Sequence, residues 1–387
     1  MNKKELELYI HIPFCVRKCS YCDFLSAPAT EQTREAYMAA LFAEIGGRAK
    51  DYSDRTVTSI FIGGGTPSLL SGEQIGQLMD RIREQFAMAQ DAEITMEVNP
   101  GTASAEKLRN FYMAGINRLS IGMQSAQAEE LKNLGRIHDF EGFCQVYREA
   151  VEAGFTNINV DVMSGLPGQT LASYRDTLEK VLHLEPLPQH ISAYSLIVEE
   201  GTPFAAMAER GELPLPEEET ERAMYEETIE VLAKYGFHRY EISNYARDGY
   251  ECRHNVGYWI RRDYLGFGIG AASLIDNVRF QNEKSLGAYL AHPLESREEE
   301  QTLTVQDRME ETMFLGLRLT RGVSCVDFAE QYGRTVEEVY GEVIARNVAD
   351  GLLTVTERKE NQKKDRFLAL TKRGLDLSNY VMAQFLF

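Results

Sequence analysis

The sequence predicts an α/β protein whose parallel sheet curls into a barrel, complete or partial. Two observations predict it. Six short strand-like runs between Leu6 and Leu196 are separated by longer stretches with helical spacing. The unusual residues (Gly-Gly-Gly, Glu, Gln, Asp) gather where those runs end. Alternation of this kind means parallel strands joined by crossover helices, and sites in such folds form at the C-terminal strand ends.

The elements follow in order. Leu6–Ile12 alternates Leu, Glu, Leu, Tyr, Ile, His, Ile and reads as the first strand. Pro13 ends it and stiffens the approach to the next loop. Thr30–Lys50 is a helix, and Val57–Ile62 a buried-type strand bounded by Gly63-Gly64-Gly65. Glu73–Phe86 is a helix, Glu93–Val98 a strand, and Ser104–Ala114 a helix capped by Ser104. The pattern recurs with strand Arg118–Ile121, helix Phe140–Ala153, strand Asn157–Met163, helix Leu171–Leu184 and strand His190–Leu196. Beyond it lie a helix over Glu217–Tyr235 and a strand over His238–Ile242. Three short helices, Asp307–Leu317, Cys325–Gln331 and Val336–Ala349, then precede two strands, Leu352–Val355 and Phe367–Leu370, around a charged loop over 357–366. Helices followed by a two-stranded wing make the tail winged-helix-like. The expected units are 1–200 for the barrel, 201–300 for an extension and 301–387 for the tail.

Composition narrows the function. At 387 residues, 44% hydrophobic and 26% charged, the chain has an ordinary globular make-up. A net charge of −18 argues against broad nucleic-acid binding. No apolar run approaches the roughly 20 residues of a membrane span, and the charged start leads straight into a strand rather than a signal peptide. Cys144, Cys252 and Cys325 are scattered and give no disulfide framework, so the expected location is the cytoplasm.

The remaining cysteines carry the chemistry. Cys15, Cys19 and Cys22 fall at C-x3-C-x2-C directly after the first strand. A cubane iron–sulfur cluster has four irons and is normally held by four cysteines, so three leave one iron open. A three-cysteine zinc site competes with this reading. Candidates at the later strand ends are Gly64, Gly65 and Thr66, then Glu97, Gln124 and Asp161. Arg136 suits a carboxylate ligand because guanidinium pairs it bidentately. Any one of the carboxylates alone also fits a helix cap.

These residues carry a resemblance. The cysteine loop resembles that of the radical S-adenosylmethionine (SAM) superfamily, and Tyr9-x-His11-x-Pro13-Phe14-Cys15 is similar to its HemN-like branch. The resemblance spans about residues 6–280 and implies the partial (β/α)6 barrel of that superfamily. It implies a [4Fe-4S] cluster on Cys15, Cys19 and Cys22, with SAM chelating the open iron. Gly64, Gly65 and Thr66 would face the SAM amino group, and Glu97, Gln124, Arg136 and Asp161 its carboxylate, ribose or sulfonium, with Tyr9 in the same set. Gly266-x-Gly268-x-Gly270 resembles a further backbone segment of that pocket.

Within the branch, His254-Asn255-x-x-Tyr258-Trp259 matches a motif of HemW-type haem chaperones and makes His254 the candidate haem ligand, although a core histidine is the plainer reading. Coproporphyrinogen III dehydrogenases carry a fourth cysteine where this chain has Phe24, and begin with a longer segment before the first strand. The resemblance therefore implies a chaperone that binds haem and passes it to haem-accepting proteins, without dehydrogenase activity. The alternative is that enzyme; a winged-helix transcriptional regulator is remote. A second copy of the chain, and membrane attachment through a partner, stay open.

Overall fold

The computed structural model describes residues 4–360 and 363–386. Six parallel strands form its centre: β1 (Lys4–Ile12), β2 (Arg55–Gly64), β3 (Ala87–Val98), β4 (Arg118–Gln124), β5 (Ile158–Ser164) and β6 (His190–Ser195). They lie side by side in chain order. The crossovers are α1 (Glu31–Arg48), α2 (Gly72–Gln85), α3 (Ala105–Met113), the pair α4 (Ala128–Leu134) and α5 (Phe140–Ala153), and α6 (Leu171–Leu182). Five of these begin at a cap the sequence supplies. The side chains of Thr30, Ser71, Ser104, Asp139 and Thr170 each accept a backbone N–H of the first turn.

Alternation along the strands decides which side is core. Leu6, Leu8, Ile10 and Ile12 are fully buried in the apolar layer shared with the helices. A fully buried Leu or Ile contributes roughly 1.5–3 kcal/mol. The intervening Glu7, Tyr9 and His11 point the other way, into the curl of the sheet.

The sheet does not close. After α7 (Pro203–Glu209) and α8 (Glu218–Lys234) come two short strands, β7 (His238–Arg239) and β8 (Asn244–Ala246); β8 adds antiparallel to β6, and β7 antiparallel to β8. The strand expected over His238–Ile242 is thus only two residues long. Helix α9 (Arg253–Trp259) follows, and β9 (Tyr264–Phe267) pairs parallel to β1 at the other edge. An antiparallel run of β10 (Ala272–Ile275), β11 (Val278–Asn282) and β12 (Arg297–Thr302) completes a twelve-stranded open sheet, with α10 (Leu286–Ala291) before its last strand. The stretch 201–300 therefore extends both edges of the barrel sheet and shares its core.

The tail has a core of its own, built from α11 (Val305–Gly316), β13 (Val323–Ser324), α12 (Cys325–Tyr332), α13 (Val336–Ala349), β14 (Leu353–Glu360), β15 (Lys363–Leu370), α14 (Lys372–Asp376) and α15 (Ser378–Ala383). Its sheet is antiparallel in the order β13-β15-β14. The charged stretch 357–366, expected to be a loop, is instead mostly ladder. Glu357 faces Arg366 and Arg358 faces Asp365 across the strands, and the Asp365 carboxylate turns inward to accept from Ser324 Oγ and the Val326 N–H. Its tip, residues 361–362, lies outside the described residues. Among the described residues no helix is long and apolar enough to cross a membrane.

Candidate functional site

The C-terminal strand ends surround one cavity of about 570 Å3, within the range of small-molecule and cofactor sites. Cys15, Cys19 and Cys22 line its mouth together with Gly64, Gly65, Thr66, Glu97, Gln124, Arg136 and Asp161.

The cysteine loop is tied down at both ends. Cys15 donates its backbone N–H to Ala27 (3.2 Å), and Ala27 donates to Pro13 (3.0 Å). Across the mouth, Ser20 N–H reaches the Leu134 carbonyl at the end of α4 (3.0 Å), and Arg17 Nη2 the Gly135 carbonyl (2.7 Å). Burial pushes the thiols of Cys15 and Cys22 up from their ordinary values. Arg136 Nη1 stands 3.9 Å from Cys19 Sγ. Three thiols of one loop facing one cavity, with a guanidinium beside them, fit a cluster held by three thiolates. Phe24, 60% exposed, stands at the mouth where a fourth cysteine would be.

The end of β2 makes the closest backbone approach. Gly64 has φ +114°, and a Cβ there would lie 2.5 Å from the His11 ring. A Cβ on Gly65 would lie 2.5 Å from the Phe14 carbonyl, so the strand end seats directly against the start of the cysteine loop. Glu97 Oε2 accepts the Gly64 N–H at 3.0 Å. Burial first, and then the Asp161 charge, pushes the Glu97 carboxyl up to about 8.

A bulge in β4 between Gly122 and Gln124 puts Gln124 at φ +69°. Bulges of this kind re-aim a side chain, and here Gln124 Oε1 accepts the Tyr194 hydroxyl at 2.9 Å. Arg136 Nη2 donates to the Gly122 carbonyl (2.6 Å), while its buried Nε has no partner. Asp161 Oδ1 accepts from Asn159 Nδ2 at 2.7 Å. Burial raises its carboxyl from the ordinary value against these hydrogen bonds.

Two expected contacts stand elsewhere. Tyr9 does not line the cavity. His11 Nε2 donates to the Leu25 carbonyl (2.9 Å), so its Nδ1 accepts the Tyr9 hydroxyl (3.0 Å), and Tyr9 stacks on Phe61 one layer behind the wall. The Gly266–Gly270 segment packs on Tyr37, Ala271 and Leu25 rather than facing the cavity.

His254 departs furthest from expectation. It is fully buried on α9, which fills the far end of the barrel interior. Its Nδ1 is 2.8 Å from Ser59 Oγ and its Nε2 3.0 Å from the Tyr258 hydroxyl. Burial holds its pKa down at about 3, so the 3.8 Å approach of Glu7 is no ion pair. Glu93 caps α9, accepting from the N–H groups of Arg253 (3.1 Å) and His254 (3.2 Å). Both ring nitrogens of His254 are thus engaged in the core, as those of a core histidine are. Asn255 lines the cavity instead, and Trp259 stacks under Arg318 of the tail.

The cavity also has a floor that the strand-end reasoning missed: Arg118, Ser120, Asn159, His190, Ser192 and Asn244. The signal was present as polar residues at every second position of β4, β5 and β6.

Comparison with known proteins fits this geometry. Residues 9–181 match the family model of the radical SAM superfamily, and residues 303–377 that of the HemN C-terminal domain. The chain is 38% identical to Heme chaperone HemW of Bacillus subtilis over 98% of both chains. It is 36% identical to Heme chaperone HemW of Lactococcus lactis, over 100% of this chain and 98% of that one. Among solved structures, the coproporphyrinogen III oxidase HemN of Escherichia coli superposes with TM-score 0.84 at 28% identity, over 99% of this chain and 90% of that one.

Proposed function

We propose that this chain, which belongs to the radical SAM superfamily and within it to the HemW family of heme chaperones, binds haem and delivers it to haem-accepting proteins. The observation that carries the reading is the end-to-end match to proteins named heme chaperones, at higher identity than to the oxidase whose fold the chain shares. Phe24 in place of a fourth cysteine supports the same choice.

On this reading Cys15, Cys19 and Cys22 hold a [4Fe-4S] cluster. When bound, the cluster supplies one open iron and the one-electron reduction of SAM. The chain's own residues do the rest. Arg136, with its Nε unpartnered, pairs the SAM carboxylate. Asp161 and Gln124 accept from ribose hydroxyls, and Glu97 offsets positive charge. The Gly64–Gly65 backbone lets a ligand approach the strand end, and Thr66 closes the wall. Tyr9 acts through His11 rather than by contact. His254 serves the His-Asn-x-x-Tyr-Trp segment by anchoring α9, so the haem ligand is sought outside that core. The reading places the protein in the cytoplasm, with any membrane attachment or self-association made through protein contacts.

The test is anaerobic. Reconstituted protein should give a Soret band with haem and pass that haem to an apo-haemoprotein. With coproporphyrinogen III, SAM and a reductant it should form no protoporphyrinogen. Robust protoporphyrinogen formation would replace the chaperone by the oxidase.

A further inference from the structure

Below the cavity wall, a single line of hydrogen bonds runs from the start of α9 to Asp161. The backbone N–H of Cys252 donates to the Tyr240 hydroxyl oxygen at 3.3 Å. That hydroxyl is 2.9 Å from His190 Nε2, and His190 Nδ1 is 2.6 Å from Asn159 Oδ1. Asn159 Nδ2 donates to Asp161 Oδ1 at 2.7 Å.

The proton positions along this line follow from chemistry. A carboxylate only accepts, so Asn159 must turn its NH2 toward Asp161 and its Oδ1 toward His190. The opposite turn would set two oxygens face to face at 2.7 Å. An amide oxygen also only accepts, so His190 Nδ1 must carry hydrogen. His190 is fully buried, and burial together with Arg118 holds its pKa well below the ordinary value. It is therefore neutral, its Nε2 is bare, and Tyr240 must donate to it. Every link points the same way, from α9 to Asp161. Ser192 Oγ adds a second donor to Asn159 Oδ1 at 3.1 Å, and Ser120 Oγ a second acceptor for its NH2 at 2.7 Å.

We propose that His190 and Tyr240 are positioning residues for SAM: they fix the Asn159 amide so that it holds Asp161 in the orientation that accepts from the ligand. The inference rests on the reading of Asp161 as a SAM contact. His190 is the first residue of β6, at the strand's N-terminal end, and the strand-end pattern did not single it out.

A double-mutant cycle on the anaerobically reconstituted protein tests it, with SAM affinity read by calorimetry and cluster content and thermal midpoint measured alongside. Asp161→Ala tests the underlying reading. His190→Leu should weaken SAM about tenfold in the parent and not at all in the Asp161→Ala background, because it acts only through Asp161. His190→Asn keeps an N–H donor on Cγ where Nδ1 stood and should stay within about threefold of the parent. If His190→Leu does not fold, Tyr240→Phe carries the same test, with about a threefold loss expected in the parent and none in the Asp161→Ala background. If Asp161→Ala binds SAM as the parent does, the SAM reading falls and the inference with it. If Asp161→Ala weakens binding but the line's variants lose nothing, or lose equally in both backgrounds, only the positioning role is overturned.

Discussion

Glu97 gives the sharpest test of the cavity, because its charge state must change when a cationic ligand enters. Its carboxyl stands at about 8, raised by burial and by Asp161, against one backbone hydrogen bond from Gly64. At pH 7 that is about one unit below the pKa, so roughly nine chains in ten carry the proton. SAM brings a sulfonium, and a nearby positive charge favours the ionised carboxylate. Binding should therefore release a little under one proton per chain at pH 7. The cost of ionisation there is about 1.4 kcal/mol, so affinity should rise about fivefold from pH 7 to pH 8 and level off about tenfold above its pH 7 value by about pH 9. Calorimetry at pH 7 in buffers of different ionisation enthalpy reads the proton count directly. Glu97→Gln should reduce it to near zero and flatten the pH profile. The ligand-free stability has the opposite slope. A carboxyl raised in the folded state contributes stability in full below its unfolded value of 4.5, and loses it as pH rises through about 8. The parent's thermal midpoint should thus fall over that range, more steeply than in Glu97→Gln. Proton release that is absent in the parent, or unchanged in Glu97→Gln, would refute the argument.

Three further outcomes follow from the geometry. Alanine at Cys15, Cys19 or Cys22 should abolish a cluster of about four irons per chain, whereas alanine at Cys144 or Cys325 should leave iron content and the reduced-state EPR signal intact. Gly64→Ala meets both a positive φ and the His11 ring at 2.5 Å; it should cost about 2–4 kcal/mol in chemical denaturation. His254→Ala strips partners from Ser59 and Tyr258 in the core and should cost about 2–4 kcal/mol. Its folded fraction should keep the parent's Soret position, and a shifted Soret band at unchanged thermal midpoint would restore His254 as the haem ligand.

The sequence was most legible where local chemistry and fold agree. Helix starts at Thr30, Ser104 and Leu171 lie within one residue of the observed ones, because a side-chain cap is a local signal. Cysteines on one short loop must share a site in any fold. Legibility failed where a residue's environment is made by distant chain. Nothing local to His254 reveals that Ser59 and Glu93, from β2 and β3, already occupy its surroundings. The edge strand β12 was missed because Arg297–Thr302 is an exposed, Glu-rich strand, whose pairing with β11 no hydrophobic pattern announces.

The missed floor of the cavity had its own signature. Parallel strands covered on both faces normally read as near-continuous hydrophobic runs, and the interiors of closed barrels are packed with branched apolar side chains. Here β4 reads Arg-Leu-Ser-Ile-Gly-Met-Gln, β5 Ile-Asn-Val-Asp-Val-Met-Ser and β6 His-Ile-Ser-Ala-Tyr-Ser. Alternation in an antiparallel sheet would mean one wet face. In buried parallel strands it means a polar interior. Ser120 pairs with Asn159, which pairs with His190, in one register across three strands. Buried polar groups are costly unless each finds a partner, and the line from Tyr240 through His190 and Asn159 to Asp161 supplies those partners. The unpartnered atoms that remain there, Arg118 Nε and Asn244 Oδ1 on the floor and Arg136 Nε above it, all belong to residues lining the cavity. Glu7 Oε2, beside α9, also lacks a partner, but the three at the cavity stand where a bound ligand can supply one.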